Sequence, residues 1–129
     1  MTASPVTIGS DQSLATAHKL MRARGIRHLP VLARGRLVGI VSQRDLSLVE
    51  TFRDVDPNVV RVEEAMTRSP LTVGPGSRLD TVARKMATRR VGSVVIIDDG
   101  KVIGVFTAVD GLRALADLVV ARPRAREHT

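Results

Sequence analysis

Apolar positions along the chain change period several times, and the changes recur in the same order. A short extended piece over residues 6–8 follows Pro5, and another over 71–73 follows Pro70. Proline favours extended backbone around it, so both read as the start of a strand. Leu14, Ala17, Leu20 and Met21 then recur at helical spacing, as do Leu79, Val82, Ala83 and Met86. Gly25 suits the end of the first helix, where the second carries Arg90. Two apolar runs follow in each half, 29–32 with 36–41 and 94–97 with 101–107. The turns between them are Ala33-Arg34-Gly35 and Asp98-Asp99-Gly100, and an Asp-Gly step between apolar runs is a strong hairpin signal. Each half closes on a helical pattern, through Leu46 and Val49 or through Leu112, Leu115, Ala116 and Val119. The predicted order is β-α-β-β-α, twice.

Displacing the sequence by 65 positions lays residues 1–46 on 66–111 without a gap. Thirteen pairs are identical, among them Met1/Met66, Thr2/Thr67, Ser4/Ser69, Pro5/Pro70, Gly35/Gly100, Gly39/Gly104 and Asp45/Asp110. Others exchange one aliphatic residue for another, as at Val38/Ile103 and Ile40/Val105. Matched glycines and an ungapped register mark a duplication. Each unit has roughly fifty residues, too few to bury enough surface comfortably alone, so the two are expected to share a core. The division that follows is a first repeat over 1–53, a linker over 54–65, a second repeat over 66–121 and a polar tail over 122–129. Pro57 punctuates the linker, a brief helix is expected over 62–66, and the tail is expected to fray.

Composition narrows the function classes. With 129 residues, 43% hydrophobic and 26% charged, the chain reads as a soluble globular protein. It has no Cys, which excludes disulfide frameworks, Cys-ligated zinc, iron–sulfur clusters and a Cys nucleophile. His18, His28 and His128 have no partners at metal-ligand spacing. No apolar run approaches the ~20 residues of a membrane-spanning helix, and the first residues resemble no signal peptide. The cytoplasm is the expected compartment. Phe52 and Phe106 are the only aromatic residues, so a stacking platform for single-stranded nucleic acid is not expected. The net charge of +7 would still attract phosphates, and nucleic-acid binding stands as an alternative. No helix-turn-helix, zinc-finger or aromatic RNA motif accompanies it. The basic group Arg22, Arg24 and Arg27, and the pair Arg89-Arg90, form either anion patches or solvated helix faces.

One pattern carries chemistry. Gly39-Ile40-Val41-Ser42-Gln43-Arg44-Asp45 and Gly104-Val105-Phe106-Thr107-Ala108-Val109-Asp110 each run glycine, two apolar residues, a hydroxyl, two spacers and an aspartate. A hydroxyl and a carboxylate are thereby set at a strand-to-helix junction. Hydroxyl and acid three residues apart make a capping box, which needs no ligand. The same geometry suits a nucleoside. The helix N-terminus offers unpaired N–H groups to a phosphate, and the carboxylate can accept both hydroxyls of a ribose. Both readings stand at this point.

The chain resembles a pair of cystathionine-β-synthase (CBS) domains, a Bateman module. The resemblance rests on Met-Thr-x-Ser-Pro-x-Thr-aliphatic opening each unit, on the four paired glycines at 35, 39, 100 and 104, and on Ser42/Asp45 and Thr107/Asp110. It covers residues 1–121 and implies an α+β fold: two tandem β-α-β-β-α repeats, related by a pseudo-twofold axis and packed through their sheets. It implies a regulatory module rather than an enzyme, binding AMP, ADP, ATP, S-adenosylmethionine or a related adenosyl ligand in two clefts between the repeats. Asp45 and Asp110 would hold ribose, and Ser42 and Thr107 would contact phosphate or ribose. Val6, Thr7 and Ile26, with Leu71, Thr72 and Val91, would sandwich the base. Arg27 and His28, and in the second unit Gly92 and Ser93, occupy places where the family contacts phosphate. Arg27 is the one strong cation among these, so the better phosphate site is expected on the Ser42/Asp45 side. The resemblance also implies a homodimer and a separate client protein. A pair with empty clefts would serve as an interaction and dimerisation module instead.

Overall fold

The computed structural model describes residues 6–121. The first repeat comprises β1 (Ile8–Gly9), α1 (Leu14–Arg24), β2 (His28–Ala33), β3 (Arg36–Ser42) and α2 (Gln43–Glu50). A 3-10 turn, Val62–Glu64, leads into β4 (Thr67–Arg68). The second repeat continues through β5 (Thr72–Val73), α3 (Leu79–Arg89), β6 (Ser93–Asp98), β7 (Lys101–Thr107) and α4 (Ala108–Ala121). In each repeat a short strand pairs parallel with the first hairpin strand, and the hairpin strands pair antiparallel. β2 touches β7, so the repeats meet through their sheets.

Local chemistry explains the matching elements. Both hairpin turns have positive φ at both central residues, Arg34-Gly35 and Asp99-Gly100. A two-residue loop of that kind twists in the same sense as the strands it joins. Both hairpins slip register at equivalent places, between Val31 and Leu32 and between Ile96 and Ile97. Such a slip bends the strand and sharpens its twist. Helices α1 and α3 both end on a left-handed residue, Gly25 at φ 63° and Arg90 at φ 56°. Glycine adopts that conformation freely, whereas the Arg90 Cβ makes it cost roughly 1 kcal/mol. Ser13 caps α1, its hydroxyl accepting from the Thr16 N–H at 3.1 Å, but Arg78 gives α3 no side-chain cap.

The two cores are unequal. Leu14, Ala17 and Met21 of α1 pack with Leu29, Val31, Val41 and Leu46 in one buried cluster, and Val62 of the linker joins them. The cluster of the second repeat has a smaller buried set, Val82, Met86 and Val94. His18 Nε2 lies 2.8 Å from Glu50 Oε1 and ties α1 to α2.

The linker returns to the first repeat before the second begins. Residues 67–68, read from the sequence as part of the second unit, pair antiparallel with β3 as Gly39↔Arg68 and Ile40↔Thr67. The first sheet thus has four strands in the order β1-β2-β3-β4, against β5-β6-β7 in the second. Gly39 permits the approach: a Cβ there would lie 2.6 Å from Met66 Sδ and 2.7 Å from the Thr67 carbonyl oxygen. The tail expected to fray, 122–129, lies outside the described residues. Among the described residues no helix is long and apolar enough to cross a membrane.

Gly39→Ala must displace β4 and should cost roughly 1–3 kcal/mol, read as a lower urea midpoint at unchanged slope. Gly74→Ala, where nothing lies within 4 Å of the added carbon, should stay within about 0.5 kcal/mol of the parent.

Candidate functional site

The repeated hydroxyl–carboxylate pattern ends β3 and β7 and opens α2 and α4. At both junctions it closes a capping box. The Ser42 N–H donates to Asp45 Oδ2 at 2.8 Å, and the Asp45 N–H donates to Ser42 Oγ at 3.0 Å. The Thr107 N–H donates to Asp110 Oδ2 at 2.8 Å, and its hydroxyl donates to the same oxygen at 3.1 Å. The Asp110 N–H returns a bond to Thr107 Oγ1 at 3.2 Å. Each helix start is also tied to the beginning of the hairpin, Gln43 N–H to the Arg27 carbonyl and Ala108 N–H to the Gly92 carbonyl, both at 2.9 Å. These bonds fix the direction of each carboxylate. Both carboxylates are half-buried and line clefts.

Two clefts draw on both repeats. One, of about 470 Å³, joins Val6, Ile26, Arg27 and His28 of the first repeat to Thr107 and Asp110 of the second. The other, of about 730 Å³, joins Ser42 and Asp45 of the first repeat to Leu71, Val91, Gly92 and Ser93 of the second. Both volumes fall in the ~300–1,000 Å³ range of small-molecule sites. All but two of the candidate residues from the sequence therefore lie on cleft walls. Thr7 faces a separate hollow with Gly9, Asp11 and Leu32. Thr72 is exposed on β5 and lines neither cleft.

The cations are distributed differently from the expectation built on Arg27. Arg27 and His28 stand between the clefts and line both. The Asp45 cleft differs in three further guanidinium groups, Arg44, Arg89 and Arg90, while the Asp110 cleft adds Arg113. Arg89 and Arg90 were visible in the sequence as a basic pair with two readings. Arg44 and Arg113 were missed. At the repeat displacement their counterparts are Val109 and Leu48, so comparing the units gives no signal for either.

Burial is the main cause that pushes the His28 pKa below its ordinary value, and Arg27 pushes it further down; Asp45 and Asp110 pull the other way. For Asp110, burial raises the pKa. Hydrogen bonds, those from the Thr107 N–H and hydroxyl among them, outweigh it and hold the carboxylate below its usual range. Among the described residues no His, Cys, Asp or Glu cluster could hold a metal ion.

Two repeats joined through their sheets, with a boxed carboxylate on each of two shared clefts, define a tandem-repeat pair module. The CBS domain family model matches residues 1–49 and 62–117, and the chain belongs to the CBS domain family. It is 34% identical over 106 residues to an inosine-5'-monophosphate dehydrogenase of Korarchaeum cryptofilum, covering 81% of this chain and 21% of that one. The chain thus spans about a fifth of that enzyme, and similarly 20% of an L-aspartate semialdehyde sulfurtransferase of Methanocaldococcus jannaschii. With CBS domain-containing protein YhcV of Bacillus subtilis it shares 27% identity over 93% of this chain and 80% of that one. Among solved structures, the CBS domain pair of protein MJ0100, in complex with 5'-methylthioadenosine and S-adenosyl-L-methionine, superposes with TM-score 0.80 at 30% identity. That match covers 91% of this chain and 92% of the other.

Because folded His28 resists protonation more than the unfolded chain does, its contribution to stability is complete above its unfolded pKa. It is lost as pH falls through the folded value. Urea unfolding between about pH 7 and 5 should therefore show stability falling with pH, and His28→Gln should flatten that slope. An imidazole NMR titration of His28 should report a midpoint below the ordinary histidine value of about 6.5.

Proposed function

We propose that this chain is a regulatory module that binds an adenosyl ligand, AMP, ADP, ATP or S-adenosylmethionine, in the clefts between its repeats. The observation that carries this is the placement of Asp45 and Asp110, each held by its own capping box on the wall of a composite cleft. A ribose diol presents two donors, and an ionised carboxylate accepts both, at roughly 1.5–3 kcal/mol per bond. Aliphatic residues would take the base, Val6 and Ile26 in one cleft and Leu71 and Val91 in the other. Neither phenylalanine lines either cleft, so the base would be held without ring stacking.

The clefts would differ in what they prefer. Arg44, Arg89 and Arg90 suit the Asp45 cleft to a ligand with several phosphates, and the Asp110 cleft suits a less anionic adenosyl compound. The adenosyl complex of the MJ0100 pair, of nearly the same extent and fold, supports the ligand class. Each ligand would touch both repeats, so binding would favour one arrangement of the pair and signal through that difference in affinity. The carboxylates belong to different clefts, which fits sensing better than paired acid–base chemistry. Leu112 and Leu115 of α4, 66% and 56% exposed, support association of two copies through that helix. Light scattering should then report a dimer, and Leu112→Glu a monomer.

A thermal-shift panel of AMP, ADP, ATP, S-adenosylmethionine and 5'-methylthioadenosine tests the ligand class. A ligand at ~100 times its Kd should add roughly 2.7 kcal/mol. Asp45→Ala and Asp110→Ala should each lose about 1 kcal/mol of cap stability and abolish the shift from their own cleft. Silence across the whole panel would leave the chain an interaction module with empty clefts. Arg90→Gly separates fold from function. It should hold or raise stability by up to about 1 kcal/mol by relieving the left-handed residue. It should weaken ATP binding and leave 5'-methylthioadenosine binding unchanged.

A further inference from the structure

Among the described residues, Arg27 and His28 alone line both clefts. Their counterparts at the displacement of 65 are Gly92 and Ser93, which carry no charge. Two clefts thus share one guanidinium and one imidazole. The guanidinium is always charged. Of the side chains described on either wall, only the imidazole belongs to a class that titrates near neutral pH.

His28 opens β2, its backbone opposite Ser42 and its side chain half-buried. Among the described residues the ring takes part in no hydrogen bond, so its nitrogens are available to whatever enters a cleft. Its charge is set by a balance. Burial, the largest influence, opposes the proton, and so does Arg27; Asp45 of α2 and Asp110 of α4 favour it. The remaining charged groups on the walls are cationic: Arg44, Arg89 and Arg90 on the Asp45 cleft, and Arg113 on the Asp110 cleft. Without a ligand the ring is therefore mainly neutral at pH 7.

A phosphate entering either cleft brings negative charge to the ring and an acceptor for its N–H, and both favour the imidazolium. An uncharged adenosyl compound displaces water without adding charge. Its ribose also draws on Asp45 or Asp110, the two groups that favour the proton, so the neutral ring is preferred. We propose that His28 makes the clefts select ligands by charge: a polyphosphate nucleotide binds together with one proton, taken from solvent onto His28, and an uncharged adenosyl ligand binds to the neutral ring. The identity of the two ligands rests on the adenosyl reading of the clefts, whereas the proton step needs only a polyphosphate. Acidification then moves occupancy from the uncharged compound to the nucleotide, and the pair of clefts responds to pH and ligand charge together.

The test follows the His28 imidazole of the full chain by NMR between about pH 5 and 8, alone and with ATP, 5'-methylthioadenosine or inorganic triphosphate. ATP and triphosphate should each raise its midpoint by at least about one pH unit, and 5'-methylthioadenosine should not raise it. The His18 ring lines neither cleft, and its signals should not respond to any of the three. Calorimetry in two buffers of different ionisation enthalpy should count protons taken up with ATP and none with 5'-methylthioadenosine. From about pH 8 to pH 6 the ATP affinity of the parent should improve at least about fivefold relative to that of His28→Gln, a comparison that cancels the titration of ATP itself. Where His28→Gln does not fold, the titration of the parent chain decides. ATP binding with the His28 midpoint unmoved, or a midpoint raised equally by 5'-methylthioadenosine, overturns the proton step and leaves the adenosyl reading standing. A midpoint raised by triphosphate, with no adenosyl compound bound, upholds the proton step and removes that reading. Binding of none of the three overturns both.

Discussion

The fold depends on a crossing. Val62 enters the core of the first repeat, and five residues later β4 lies against β3 over the bare backbone of Gly39. A unit of roughly fifty residues buries too little surface for independent stability, and the crossing gives the first repeat both a core residue and an edge strand from outside itself. It also fixes where the second repeat starts. From Arg68 the chain passes Ser69, Pro70 and Leu71, all on the wall of the Asp45 cleft, before β5 begins. That cleft is composite because the chain finishes the first sheet immediately before it opens the second.

The same crossing makes the repeats unequal. The first has a capped α1, a glycine at its C-terminal end and a core closed by the linker. The second has an uncapped α3, a left-handed Arg90 and a smaller buried cluster. The missing cap and the left-handed Arg90 are each a local loss of order 1 kcal/mol, and both fall on α3. Helix α3 begins beside a small apolar hollow lined by Leu79, Val82, Ile96 and Phe106, and its C-terminal end places Arg89 and Arg90 on the Asp45 cleft. Strained backbone persists where the surroundings enforce it and often where a side chain has a task. Arg90 lies on the wall of the Asp45 cleft, at the position where the first repeat carries Gly25.

Much of this was legible in the sequence because it is written twice. The hairpins could be read from Asp99-Gly100 and its weaker partner Arg34-Gly35, the helices from period, and the junctions from Ser42/Asp45 and Thr107/Asp110. What escaped was whatever occurs once. Strand β4 is two residues long, with no periodicity to detect, and its partner is chosen by the space at Gly39 rather than by any local preference. Arg44 and Arg113 reach the clefts from positions whose counterparts are apolar, so a duplication argument passes over them. Thr7 and Thr72 were placed by resemblance beside Val6 and Leu71, but in extended backbone such as that leading into β1 and β5 neighbouring side chains diverge. Only the first of each neighbouring pair lines a cleft.

The choice between cap and ligand site at the two junctions was open in the sequence for a physical reason: the two roles need the same geometry. A carboxylate that must meet a ribose has to be held in one direction before the ligand arrives, since ordering it on binding would subtract from affinity. The capping box does this with bonds the helix start requires in any case. At Asp45 the box engages Oδ2, and Oδ1 takes no bond from the described residues. The cap therefore engages one carboxylate oxygen and holds the direction of the other. A well-formed cap and a preorganised ribose site therefore share one geometry, and the bonds at Asp45 satisfy both descriptions.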